Sequence, residues 1–138
     1  MSKASFINEL SLPAIAAPMF LISGPQLVIE CCKNGIVGTF PALNQRTTEG
    51  FEAWILEIKS ALATYEKETG KKPAPFGVNL IVHKSNPRLE ADLAICVKHK
   101  IALIITSLVA VSELVNTVHS YGGLVFHDII KKRFNFGN

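Results

Sequence analysis

Short apolar stretches alternate along the chain with longer segments in which apolar residues recur every three or four positions. Residues 101–106 form one of the short stretches, with the sequence Ile-Ala-Leu-Ile-Ile-Thr, as expected for a parallel strand covered on both faces. Spacings of three and four are typical of an amphipathic helix. The clearest such repeat comprises Phe51, Trp54, Ile55, Ile58, Leu62 and Tyr65. This alternation predicts an α/β fold in which helices connect the strands of a parallel sheet.

The pattern resolves into five predicted strands and four predicted helices. The strands are expected at residues 13–20, 36–40, 75–81, 101–106 and 124–127. Pro25 and Pro87 each suit the first turn of a helix. Thr47 or Thr48 is expected to cap the helix that lies between these two. No linker or low-complexity stretch interrupts the pattern, so residues 1–138 are interpreted as a single domain.

Two parallel architectures fit this order of elements. An open, doubly wound sheet of five strands would be complete at this length, whereas a TIM (β/α)8 barrel needs eight strands and typically about 250 residues. A glycine-rich phosphate loop after the first strand would favour the open sheet. Gly24 is the lone glycine in that region. We therefore favour a partial TIM (β/α)8 barrel of about five βα units.

Composition narrows the functional class. Hydrophobic residues make up 49% of the 138 residues, but no apolar run reaches the roughly 18–20 residues that a membrane span needs. The net charge is +3, and the basic residues are scattered rather than interleaved with aromatic ones. Binding to nucleic acid is therefore not expected. Residues 1–10 do not resemble a secretion signal, which favours a cytoplasmic protein.

The number and spacing of the three cysteines also favour the reducing environment of the cytoplasm. Cys31 and Cys32 are adjacent and Cys96 is distant, so no pair has the spacing of a metal site or of a favourable disulfide. We expect no metal and interpret all three as small buried residues.

Candidate site residues follow from one geometric rule, that ligands of parallel α/β folds bind at the carboxyl ends of the strands. The polar or distinctive residues at the predicted ends are Pro18, Met19, Phe40, Pro41, Asn79, Thr106, Ser107, His127 and Asp128. Asn79 interrupts an apolar strand, so its amide needs partners, which either a ligand or a neighbouring loop can supply. Thr106 and Ser107 offer hydroxyls for a site or for a helix cap. His127 is the one histidine at a predicted strand end, and as a lone histidine it fits a structural role as well.

Four sequence blocks at these positions resemble those of the nitronate monooxygenases, formerly called 2-nitropropane dioxygenases. The blocks are residues 13–19 (Pro-Ala-Ile-Ala-Ala-Pro-Met), 75–80 (Pro-Phe-Gly-Val-Asn-Leu), 104–107 (Ile-Ile-Thr-Ser) and 121–128 (Tyr-Gly-Gly-Leu-Val-Phe-His-Asp). Their order and spacing match the N-terminal part of that family and cover roughly residues 8–130. In looser form the blocks are shared with flavin-dependent enoyl-carrier-protein reductases.

The resemblance implies a TIM barrel that binds FMN and oxidises alkyl nitronates, with dioxygen reoxidising the flavin. Ala17, Pro18 and Met19 would then line the flavin, and Asn79 would hydrogen-bond to it. The positions implied at the rim of the pocket are Thr106, Ser107 and His127.

The resemblance also implies parts that this sequence does not contain. The family's catalytic histidine lies in a later Gly-Gly-His block, and its glycine-rich phosphate loops come later still, so no catalytic residue is assigned in this chain. Residues 131–138 show no helical period and are interpreted as an irregular tail. An alternative interpretation is therefore a catalytically inactive barrel fragment. A half barrel would leave two sheet edges and an apolar inner face open, which predicts self-association.

Overall fold

The computed structural model describes residues 5–108 and 111–128, so the predicted irregular tail lies outside the described residues. The strands are β1 (Ile15–Ala16), β2 (Val37–Pro41), β3 (Phe76–Ile81), β4 (Leu103–Ser107) and β5 (Leu124–His127). The α-helices are α1 (Pro25–Lys33), α2 (Thr48–Thr69), α3 (Leu89–Lys98) and α4 (Ser112–Ser120). Two short 3-10 helices, Ser5–Glu9 and Ala42–Asn44, precede β1 and follow β2.

Strand order distinguishes the two architectures that the sequence left open. The sheet runs β1-β2-β3-β4-β5, and every neighbouring pair is parallel. In a doubly wound sheet the strand order reverses at one point, as in the order 2-1-3-4-5. Here each strand is added at the same edge as the strand before it. The partial (β/α)8 barrel is therefore confirmed, and the open doubly wound sheet is wrong.

The helix signals in the sequence are mostly confirmed. Thr47 is the N-cap of α2, where its Oγ1 accepts a hydrogen bond from the Gly50 N–H at 3.0 Å. Pro25 is the first residue of α1. The predicted start at Pro87 is two residues early, because Asn86 Oδ1 instead accepts from the Arg88 N–H in a turn before α3.

The first strand is much shorter than predicted. Of the expected residues 13–20, only Ile15 and Ala16 pair in the sheet. Pro13 and Pro18 lack the N–H that a strand ladder needs, so they bound the paired segment. Ile15 is 37% exposed because β1 lies at the edge of the described sheet. Beyond Ala16 the chain enters the loop that leads to α1.

The two faces of the sheet have different roles. On the outer face, Phe40 of β2 packs against Phe51 and Trp54 of α2, with ring centroids 5.9 and 5.8 Å apart. Gly38 lets α1 approach the same face closely, since a Cβ there would lie 2.8 Å from the Val28 Cα. The helices thus cover the outer face with the main core and leave the inner face for the site.

Candidate functional site

A cleft of about 490 Å³ lies against the inner face of the sheet, near the carboxyl ends of the strands. Its lining residues come from β1, β3, β4, β5 and the segments that follow them. They are Ile15, Ala17, Pro18, Asn79, Ile105, Ser107, Phe126, His127 and Asp128. The cleft therefore gathers segments that are far apart in sequence, as the strand-end rule predicts.

Asn79 is the buried polar centre of this cleft. It is 6% exposed, and it pairs with Ile105 across the β3–β4 ladder. Its Nδ2 donates to the Ile105 carbonyl oxygen at 3.0 Å and to Ser107 Oγ at 2.9 Å. Because a carbonyl oxygen can only accept, the nitrogen of the amide must face β4. The neighbouring strand thus fixes the orientation of the Asn79 side chain.

This orientation leaves the Asn79 Oδ1 atom as an acceptor. No described residue donates a hydrogen bond to it. The side chain is mostly buried, and the residue lines the cleft. A nearly buried amide with one acceptor left over is complementary to a ligand that donates an N–H or O–H.

Two of the predicted site residues lie on the other face of the sheet. Thr106 pairs with Leu80, a member of the main core, and with His127 on the other side. Residues paired across a ladder share a face, so the Thr106 side chain faces the helices. It is 1% exposed, and its Oγ1 lies 2.9 Å from His127 Nδ1. His127 still contributes to the wall of the cleft, while its ring is held by Thr106.

Neither hydroxyl of the Thr106–Ser107 pair caps α4, whose N-cap is Val111.

The loop after β1 contains the three residues that the resemblance implied would line the flavin, whereas the strand-end residues Phe40 and Pro41 do not line the cleft. Ala17 and Pro18 line the cleft, whereas Met19 is not one of its lining residues and is 42% exposed. Sequence reasoning missed Asn44, which follows β2 and hydrogen-bonds to this loop at three backbone atoms. Its place three residues after the end of β2 was the one available signal.

The cysteine thiols contribute no reactive group to the cleft. Cys32 and Cys96 are buried, as predicted, and Cys31 is half-buried. Burial raises the pKa of the Cys32 thiol to about 11 and raises that of Cys96 further. Both thiols are therefore protonated near neutral pH and are poor nucleophiles or metal ligands. The described residues include no group of three histidine, cysteine or acidic side chains placed to hold a metal ion.

An ionisable cluster on helices α2 and α3 lies at the other end of the sheet. Glu52 Oε1 lies 2.8 Å from Lys98 Nζ and 2.7 Å from His99 Nε2. Hydrogen bonds from Lys98 and His99 lower the pKa of the Glu52 carboxyl. His99 follows α3 just before β4. The cluster therefore joins α2 to α3 near the amino ends of the strands, the face of such barrels that serves stability rather than catalysis.

A separate finding concerns membranes: none of the described helices is both long and apolar enough to cross one.

Comparison with known proteins shows similarity at the level of structure. No protein-family model matches the sequence, and no curated protein matches it. FabK from Thermotoga maritima superposes with a TM-score of 0.73 at 16% identity, covering 92% of this chain and 37% of that chain. The enoyl reductase domain of MlnA, from the macrolactin biosynthesis cluster of Bacillus amyloliquefaciens, gives a TM-score of 0.61 at 22% identity over 78% of this chain and 22% of that chain.

The chain thus spans little more than a third of the length of FabK. Both neighbours are TIM-barrel enzymes, and at these identities the likeness concerns the fold alone. Together with the sequential parallel strand order, the comparison identifies the chain as part of a TIM (β/α)8 barrel.

Proposed function

We propose that the cleft binds the ring system of a flavin and that the chain belongs to a flavin-dependent oxidoreductase. The observation that carries this proposal is the Oδ1 atom of Asn79, a nearly buried acceptor that no described residue satisfies. The isoalloxazine ring of a flavin has an imide N–H that matches such an acceptor. The structural likeness to enoyl reductases of the same fold supports a flavin as the ligand.

The walls of the cleft suit a flat, largely apolar ring. Ile15, Ile105 and Phe126 supply apolar surface, and Ser107 supplies a hydroxyl that accepts from Asn79 and can still donate its own hydrogen. Ligand sites typically combine such apolar walls with a few fixed polar groups. FMN, when bound, would supply the redox chemistry. The residues of this chain would hold and orient its ring.

Two reactions are compatible with this site. We propose oxidation of alkyl nitronates with dioxygen, on the strength of the four sequence blocks. Reduction of an enoyl thioester is the second candidate, which the fold of the MlnA domain favours. Oxygen uptake after an alkyl nitronate is added to the FMN-loaded chain would support the first reaction, and oxidation of photoreduced FMN on the chain by an enoyl thioester would support the second.

Flavin binding is tested by titrating the purified chain with FMN and with riboflavin while the visible spectrum of the flavin is recorded. We expect saturable binding with a Kd on the order of 0.1 mM, because a ring held by a few contacts in an open cleft gains only modest free energy. The two flavins should bind with similar affinity, since the proposed contacts are made to the ring and not to the phosphate. AMP, which has a phosphate but no flavin ring, is the control and should not bind.

The flavin proposal fails if the spectrum changes neither for FMN up to millimolar concentration nor for riboflavin up to its solubility limit. Much tighter binding of FMN than of riboflavin would also contradict it in this form, because the phosphate and not the ring would then dominate recognition.

We also propose that the chain associates with itself through its open sheet. Among the described residues, no strand pairs with the outer edge of β1 or of β5. Ile15 and Phe126 are 37% and 42% exposed on the inner face between these edges. Unpaired edges beside exposed apolar side chains promote association. Light scattering coupled to size exclusion should give a mass that increases with protein concentration, whereas a monomer with a sharp cooperative melting transition would refute the proposal.

A further inference from the structure

We propose that Asn44 is a positioning residue, which holds the loop between β1 and α1 in the conformation that the cleft requires. This inference rests on the proposed flavin site and extends it to a residue outside the cleft. Asn44 ends the 3-10 helix after β2, whereas the cleft residues of the loop are Ala17 and Pro18. The connection between them is a set of hydrogen bonds to the loop backbone.

Asn44 binds the loop at three points. Its Oδ1 accepts from the Leu21 N–H at 2.9 Å, and its Nδ2 donates to the carbonyl oxygens of Met19 at 3.1 Å and Ser23 at 2.8 Å. Two carbonyl oxygens on one side and an N–H on the other define the orientation of the amide. The acceptor and both donor hydrogens of Asn44 are thereby used on one short segment of another element.

Ser23 completes the same turn from within the loop. It is 1% exposed, its Oγ accepts from the Met19 N–H at 2.9 Å, and its own N–H donates to the Met19 carbonyl oxygen at 3.0 Å. Met19 follows directly after Ala17 and Pro18, which line the cleft. The bonds at Met19 therefore fix the backbone at the end of the cleft-lining segment. Asn44 and Ser23 together replace the sheet pairing that the short β1 does not provide.

The loop has little else to hold it in this shape. Phe20, Leu21 and Ile22 are 65%, 77% and 70% exposed, so their burial contributes little to the order of the loop. Leu21 has φ +61°, a left-handed conformation that costs a leucine free energy. A strained segment that buries little surface persists only where other contacts determine it. Here those contacts are the bonds to Asn44 and the bonds between Ser23 and Met19.

Loss of Asn44 should therefore weaken binding in the cleft without removing any ligand contact. The loop would sample several conformations, and binding would have to order it again at a cost in entropy. This behaviour distinguishes a positioning residue from a residue that touches the ligand. It also differs from a general loss of stability, because the main core lies on the other face of the sheet.

The test uses Asn44→Ala and Asn44→Asp in the full chain, with two readouts. The aspartate retains an acceptor for Leu21 but cannot donate to the two carbonyl oxygens. Both variants should raise the Kd for riboflavin about threefold to tenfold, as expected for hydrogen bonds that act indirectly. Hydrogen exchange should show that the Leu21 amide loses protection in Asn44→Ala, while the amides of β3 and β4 keep theirs.

Two further variants make the test decisive. Ser23→Ala removes the other support of the loop and should weaken binding in the same direction, so the inference stays testable if Asn44→Ala fails to fold. Asn34→Ala is the matched control, because Asn34 Nδ2 also donates to a backbone carbonyl, that of Glu30 at 2.8 Å, but at the far end of α1. It should leave the Kd within twofold of the wild type.

The outcomes separate the inference from the function on which it rests. If the wild-type chain binds no flavin, the proposed function fails and the inference falls with it. If the wild type binds and Asn44→Ala exposes the Leu21 amide but leaves the Kd unchanged, only the inference is overturned. Equal weakening by Asn34→Ala would also overturn it, since the effect would then not be specific to the loop.

Discussion

Replacing Asp92 by alanine is expected to lower the free energy of unfolding by about 3–5 kcal/mol, the usual cost of removing one partner of a buried ion pair. Asp92 lies in α3 and is fully buried. Its Oδ1 accepts from Thr48 Oγ1 at 2.8 Å, and its Oδ2 lies 3.0 Å from a guanidinium nitrogen of Arg88. Without the carboxylate, the mostly buried Arg88 would keep its charge with no counter-ion.

Urea unfolding followed by circular dichroism measures this effect, and two variants control it. Glu90→Ala removes an exposed carboxylate two residues away on the same helix and should change stability by less than about 0.5 kcal/mol. The double substitution Arg88→Met with Asp92→Leu should be milder than Asp92→Ala, because removal of both charges leaves none buried and unpaired. A loss below about 1 kcal/mol for Asp92→Ala would show that this ion pair behaves like an exposed one.

The same ion pair reaches the candidate site indirectly. The Arg88 guanidinium also donates to the carbonyl oxygens of Ala42 and Gln45, which lie on either side of Asn44 in the turn after β2. Asn44 in turn holds the loop beside the cleft. Asp92 therefore orients Arg88, Arg88 fixes the turn, and the turn presents Asn44. A helix on the outer face thus contributes to the shape of a cleft on the inner face.

The order and type of the elements could be predicted from the sequence, because apolar spacing and turn residues act locally. The limits of β5 at residues 124–127 agree with the structure, and Thr47 is the one of the two predicted caps, Thr47 or Thr48, that the structure shows. The strand order could not be predicted from local patterns in this way, since the same pattern fits a doubly wound sheet and a barrel. The lack of a glycine-rich phosphate loop favoured the barrel. Strand pairing decides between the two folds, and pairing depends on contacts between distant segments. The edge position of β1 is likewise a property of the sheet rather than of its own residues.

The site was predictable in part for a related reason. Asn79 was predicted as a candidate because it is a polar residue within an apolar strand, and in the structure it lines the cleft. Thr106 and Ser107 were equivalent in the sequence, but successive residues of a strand point to opposite faces, and only the register shows which one faces the cleft. Asn44 was missed because its partners lie more than twenty residues away.

Replacing Asn79 by leucine is expected to raise the Kd for FMN and for riboflavin about tenfold or more. The substitution keeps the branched shape and the number of side-chain heavy atoms but removes both polar atoms of the amide. Without the Oδ1 acceptor, a buried N–H of the flavin would have no partner, at a cost of about 1–3 kcal/mol. The titration described for the wild type measures the change. Circular dichroism of the variant confirms that the loss is one of binding and not of folding.

Thr106→Val provides the control that makes the Asn79 result specific. Thr106 lies in the same strand as the cleft residue Ser107 and also carries a hydroxyl, but its side chain is directed to the helix-covered face, where it contacts His127. If the ring binds on the inner face, Thr106→Val should raise the Kd much less than Asn79→Leu does, because Thr106 does not line the cleft and can act on the ligand only through the ring of His127. Equal weakening by both substitutions would indicate that the sheet as a whole had been disturbed. An unchanged Kd in a folded Asn79→Leu variant would remove Asn79 from the flavin site, and with it the observation on which the proposed function depends.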